Sequence, residues 1–137
     1  MSETKDIIDF LHSIGYEEMM DEHTELEEDL GIWGDDMSEL LDAYVERFHV
    51  DMTSYLWYFH TRGEGLCLIG DFFYPPPNKR VTQIPITITM LRDYANHGKW
   101  SITYPDHKIP KYNLGILIEL IFLLFLILFF IIVEGVK

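Results

Sequence analysis

Cysteine is almost missing from this chain of 137 residues: Cys67 stands alone. An internal disulfide is therefore excluded, and without a CxxC pair or a Cys/His cluster there is no zinc-type ligand set. Basic residues are also scarce, with Lys+Arg 10 against Asp+Glu 23 and a formal net charge of -13. A phosphate backbone needs a basic surface, so nucleic acid is excluded as a partner. Catalytic signatures are missing as well. There is no GxSxG elbow, P-loop, dinucleotide fingerprint or HExxH pair. His12, His23, His49, His60, His97 and His107 are widely spaced and read as surface or half-buried side chains. Arg62-Gly63-Glu64-Gly65 is a turn that lacks the Lys-Ser/Thr of a phosphate cradle. Cys67, among Leu66, Leu68 and Ile69, reads as an inert buried thiol. Glu25 to Asp29 has no EF-hand spacing and offers cations only loose association. The expectation is a protein that is not an enzyme, with no cofactor and no bound metal, and the sequence identifies no small-molecule substrate.

What the chain does have is one long apolar run. Of the twenty residues Leu114 to Val133, eighteen are Leu, Ile, Phe or Val, and Glu119 is the only acid. Such a length suffices for a helix to cross a hydrocarbon core. At about -0.3 to -0.6 kcal/mol each, those side chains outweigh one Glu at about 3 kcal/mol. The alternative, a core helix apolar on every face, would need a larger domain to enclose it. Lys99, Lys108 and Lys111 precede the run and only Lys137 follows it. The positive-inside bias then keeps the N-terminal domain cytoplasmic, with the helix as a single-pass tail anchor. Met1 to Ile14, carrying Glu3, Asp6 and Asp9, does not read as a signal peptide. Glu119 lies about 8 Å into the helix at 1.5 Å per residue. Its two readings are a tolerated acid near the interface and a group that pairs with a partner helix. Gly115 alone makes no GxxxG motif, which leaves self-association in the membrane unsupported.

Charge divides the remainder. Residues 1–54 carry 17 acids and only Lys5 and Arg47, whereas residues 55–112 carry 4 acids and 7 bases. The asymmetry fits an intramolecular electrostatic match, a surface for a basic partner, or a solvated acidic face. Helical spacing of Ile7, Ile8, Leu11 and Ile14 predicts a first helix over 4–14, stopped by Gly15. An acidic connection over 16–29 follows, with Met19, Met20 and Leu26 as its apolar anchors. Asp35 or Asp36 is expected to cap a second helix, in which Met37, Leu40, Leu41, Tyr44, Val45 and Phe48 share one face. Asp35, Glu39, Asp42 and Glu46 form a continuous acidic stripe on the other. Residues 51–59 are rich in aromatics and fit a short helix or an extended segment. An apolar run over 66–74 ends at Pro75-Pro76-Pro77, and 81–86 is expected to be briefly extended. A last helix of the domain begins after Thr87, buries Ile88, Leu91, Tyr94 and Ala95, and stops at Gly98.

The stretch from Asp29 to Phe48 resembles the core of an acyl carrier protein, with Asp29, Leu30, Gly31, Glu39, Leu40, Ala43 and Phe48 matching without gaps. With its Asp-Leu-Gly-Ile-Trp-Gly-Asp-Asp turn and closing Gly98-Lys99-Trp100, the chain is similar to small uncharacterised enterobacterial proteins related to those carriers. The likeness covers roughly residues 4–100, and it implies a small helical bundle in a bacterial cell. The carrier serine that accepts phosphopantetheine falls on Gly34, which has no oxygen to esterify. Ser38 lies a turn further along and would point elsewhere. What the resemblance leaves is the recognition surface, since carriers present this helix's acidic face to basic patches.

The resulting expectation is mainly α: a small acyl-carrier-like bundle over 1–100, with room for a short extended or hairpin insertion. A linker over 101–113, a transmembrane helix over 114–133 and a short outer tail over 134–137 complete it. The expected role is a carrier-like interaction module in a bacterial inner membrane, held by the lipid bilayer. It docks a basic protein partner through Asp35, Asp36, Glu39, Asp42 and Glu46. Two alternatives stand beside it: a genuine acyl or peptidyl carrier at the membrane, and a small regulatory membrane subunit acting through its helix and Glu119.

Overall fold

A computed structural model of the chain describes residues 1–62, 69–109 and 114–135. Cys67, the Gly63–Gly65 part of the expected turn, Pro110, Lys111 and Lys137 lie outside the described residues. Among those described are five α-helices and no strand: α1 (Thr4–Ser13), α2 (Gly34–Phe48), α3 (Gly70–Phe73), α4 (Ile88–His97) and α5 (Leu114–Gly135). The hairpin insertion is not found there, and extended pairing is limited to bridges between Glu25 and Thr87 and between Asp51 and Lys99. Residues 81–86 form no strand. Ile84 instead donates its N–H to the Phe59 carbonyl at 2.6 Å.

Local chemistry sets the helix ends. The Glu3 N–H donates to the Asp6 carboxylate at 2.6 Å, which anchors the first turn of α1. Gly15, with φ +108°, turns the chain away after it. The Thr87 hydroxyl accepts from the Met90 N–H at 3.2 Å and caps α4. Gly98, left-handed at φ +67°, closes that helix. The start of α2 corrects an expectation. The helix begins at Gly34 behind Trp33, with no side-chain cap, so neither Asp35 nor Asp36 caps it. Both occupy its first turn, where negative charge still favours the helix dipole.

The core forms where α1, α2 and α4 turn their periodic apolar residues inward: Ile7, Phe10 and Leu11; Met37, Leu40, Leu41 and Tyr44; Ile88 and Leu91. Trp100 is fully enclosed beside them. Each large side chain withdrawn from water contributes about 1.5–3 kcal/mol. The Tyr44 hydroxyl, buried under the bundle, donates to the Leu91 carbonyl at 2.6 Å. In the acidic connection Leu26 is buried and pinned by its N–H to the Ile86 carbonyl at 2.9 Å. Met20 packs on the core, but Met19 is 100% exposed and anchors nothing.

The expected linker begins as part of the folded domain. Ile102 packs against the core and the Tyr104 ring lies 4.8 Å from Phe59. The Tyr58 hydroxyl and His107 Nε2 are hydrogen-bonded at 2.8 Å. By contrast, α5 is 0% buried over its apolar window and is long and apolar enough to cross a membrane. It is therefore not the core helix of this domain. Among the described residues it packs against α3.

Candidate functional site

The acidic face of α2 is the first candidate. Asp35, Asp36, Glu39, Asp42 and Glu46 are all exposed, while Met37, Leu40, Leu41 and Tyr44 on the opposite face are buried. Among the described residues no ion pair engages any of these five acids. The acidic connection behaves differently. Arg62 pairs with Glu27 at 3.4 Å and also with Glu28, and Arg92 reaches Glu22 at 3.8 Å. An intramolecular match thus engages part of the connection, while the acids of α2 are left facing solvent. The field of α2 is felt locally at Tyr16: partial burial, then Asp36, Glu39 and Glu18, push its hydroxyl pKa up.

Beside this face runs a groove of about 320 Å³, lined by Met37, Ser38, Leu41, Asp42, Val45, Met52, Tyr55, Trp57 and Thr61. Its floor is apolar, its rim carries the Asp42 carboxylate, and Trp57 stands half-exposed at its edge. Gly34 holds the helix start against it, its N–H donating to the Thr61 hydroxyl at 3.3 Å. The backbone there is left-handed, φ +59°, a conformation that favours glycine over serine. The Ser38 hydroxyl donates back to the Gly34 carbonyl at 3.4 Å.

Behind the groove lies a network that sequence spacing did not reveal. His60 is only 1% exposed, further inside than the surface or half-buried position expected of it. Its Nδ1–H donates to the Ile84 carbonyl at 2.8 Å, so Nε2 is left to accept from the Tyr104 hydroxyl, also at 2.8 Å. That hydroxyl in turn accepts from the Leu56 N–H at 3.1 Å and from Trp100 Nε1–H at 3.0 Å. Burial holds the His60 pKa below its ordinary 6.5, and it raises that of Tyr104 above 10.0. Every polar atom in the set has a partner, which makes this a structural clasp between three separate segments.

Glu119 belongs to a third arrangement. Its carboxylate Oε2 accepts the N–H of Ile69 at 3.1 Å and of Gly70 at 3.0 Å, at the start of α3. The two helices approach so closely at Gly70 that a Cβ there would stand 2.0 Å from the Gly115 carbonyl oxygen. Glu119 therefore meets α3 of its own chain. No group of three or more His, Cys, Asp or Glu side chains suited to a metal occurs among the described residues.

Residues 4–103, from the start of α1 to just past Trp100, match the family described as Protein of unknown function (DUF1493). The chain belongs to the DUF1493 family. No curated protein and no solved structure matches it. The DUF1493 match takes in the α2 face, the groove, His60, Trp100 and α3, and it stops before α5. Within the DUF1493 region the five acids predicted for docking are all exposed on α2, with Asp35, Glu39, Asp42 and Glu46 at the spacing of one stripe. Glu119, outside it, is brought to α3 rather than to α2. Two features were missed. Tyr104 sits in a segment read as linker, and its only sequence signal was an aromatic four residues after Trp100. Gly70 could have been matched with Gly115 only by knowing that two different helices meet there.

Proposed function

We propose that this protein is a non-catalytic docking module tethered to a bacterial inner membrane, with its DUF1493 domain on the cytoplasmic side. The α2 face receives a basic protein. The observation that carries the reading is the contrast between acids: Glu22, Glu27 and Glu28 of the connection pair with Arg92 or Arg62, whereas the five on α2 face solvent without an ion pair among the described residues. Exposed pairs of this kind contribute little singly but steer association together. The apolar groove beside Asp42 gives an arriving side chain somewhere to bury. The tether reading rests on α5, and the orientation on Lys99, Lys108 and Lys111 preceding it.

The resemblance to acyl carriers supports the choice of face and not the chemistry of carriage, because Gly34 offers no hydroxyl and its left-handed backbone favours having none. A regulatory role exerted through the helix finds less support, since Glu119 is engaged by α3. The deciding experiment is co-purification from native membranes with Glu39→Lys and Asp42→Lys combined. Loss of basic partners is expected, with domain stability altered by less than about 0.5 kcal/mol, as for exposed positions in general. An unchanged partner set overturns the proposal.

A further inference from the structure

Four residues of α3 hold an arrangement that the docking reading does not use. Phe72 and Phe73 are 81% and 67% exposed, with their rings packed edge to face at 5.2 Å. Two adjacent phenylalanines facing outward are costly in water. They lie on a helix that is packed against α5, whose own apolar side chains are also exposed. The contact falls early in α5, between Gly115 and Glu119, within about 8 Å of its start at 1.5 Å per residue. An element lying in the headgroup and acyl boundary is buried to a similar depth of about 5–10 Å.

The backbone chemistry agrees. At that depth there is little water to pair the free N–H groups at the start of α3, and each group left unpaired is costly. Glu119 Oε2 accepts both the Ile69 and the Gly70 N–H. An acid in an otherwise apolar helix thereby completes the backbone of a neighbour placed where water is scarce. The flank carries the charge that such a position favours. Lys79 and Arg80 are exposed just beyond Pro75-Pro76-Pro77. Lys79 is tethered to Asp71 at 3.1 Å, and the Arg80 guanidinium lies 4.4 Å from the centre of the Tyr74 ring. Cations and aromatic rings at this level suit anionic headgroups.

We infer that α3 is a second membrane contact, seated in the interface of an anionic lipid bilayer with Phe72 and Phe73 entering it, and braced to α5 through Gly70, Gly115 and Glu119. The inference rests on the reading of α5 as a membrane anchor, and the test separates the two.

Full-length protein carrying Cys67→Ser is labelled with an environment-sensitive fluorophore at Phe72→Cys, Phe125→Cys or Met19→Cys. It is then placed in nanodiscs of phosphatidylcholine and phosphatidylglycerol with quenchers at shallow or deep lipid positions. The probe at position 72 should be quenched best by the shallow label, that at 125 by the deep one, and that at the fully exposed position 19 by neither. Quenching at 125 without quenching at 72 overturns this inference alone. Absence of quenching at 125 overturns the anchor and the inference together. As a second measurement, Glu119→Ala should speed amide exchange at Ile69 and Gly70 by roughly tenfold or more, the factor for losing a charged acceptor. Unchanged exchange there would remove Glu119 from the brace.

Discussion

The three-helix bundle and the α3–α5 arm solve the same problem in opposite ways. In the bundle the apolar side chains of α1, α2 and α4 face one another, and the buried polar atoms of His60, Tyr104, Trp100 and Tyr44 are partnered within the domain. In the arm the large apolar side chains face outward, and what lies at the helix contact is two glycines and a carboxylate. Water-soluble packing hides apolar surface and uses its few polar groups as clasps. The arm exposes apolar surface and hides its polar backbone, which is how chain segments behave beside lipid. On the proposed reading of α5 as an anchor, the difference teaches that one short chain is built for two solvents, with α3 and α5 on one side and the bundle on the other.

Truncating the bundle's most enclosed side chain separates the regions most strongly. Trp100→Ala should destabilise the domain by about 3–5 kcal/mol, lowering its denaturant midpoint while the helical circular dichroism of α5 in detergent persists. A parallel loss of both signals would show that the two regions fold as one. Tyr104→Phe is a milder cut, leaving the Leu56 N–H, the Trp100 indole N–H and His60 Nε2 without their partner, at about 1–3 kcal/mol. The same clasp gives a pH dependence. His60 has a lowered pKa in the folded state, so below about its ordinary 6.5 the unfolded chain binds the proton more readily. Domain stability should be fully present above that pH and decline as acid is added towards the folded-state value. Urea titrations across that window read the slope, and His60→Gln should flatten it.

In the arm, Gly70→Val sets a side chain against the Gly115 carbonyl. It should part α3 from α5, a cost of about 1–3 kcal/mol by analogy with overpacked cores. Amide exchange confined to α3 should rise, with the urea midpoint of the bundle unmoved. A shift of that midpoint would break the comparison.

How much of this could be read from sequence depends on what each element is made of. α1, α2, α4 and α5 announce themselves because their apolar residues recur at a single helical spacing, or fill every position, so that one segment carries the whole signal. Thr87 and Gly98 mark the ends of α4 for local reasons that hold in any context. The acidic face of α2 was legible for the same reason, since one helix displays it entirely. The clasp was not, because His60, Ile84 and the Trp100–Tyr104 pair come from separate segments, and no periodicity links the three. Met19 misled because an isolated methionine carries no phase to say which way it points. α3 hid inside an apolar run, and Gly115 lacked a glycine at GxxxG spacing in its own helix because the glycine it meets is Gly70.

The position of Tyr104 has a consequence in time. It closes the clasp, yet it precedes Leu114 by only ten residues, an interval of about one second at ordinary rates of protein synthesis. As the chain is made, the domain cannot finish folding much before the apolar segment emerges. On the reading of α5 as an anchor, completion of the domain and delivery of α5 to a bilayer fall within the same short interval of synthesis.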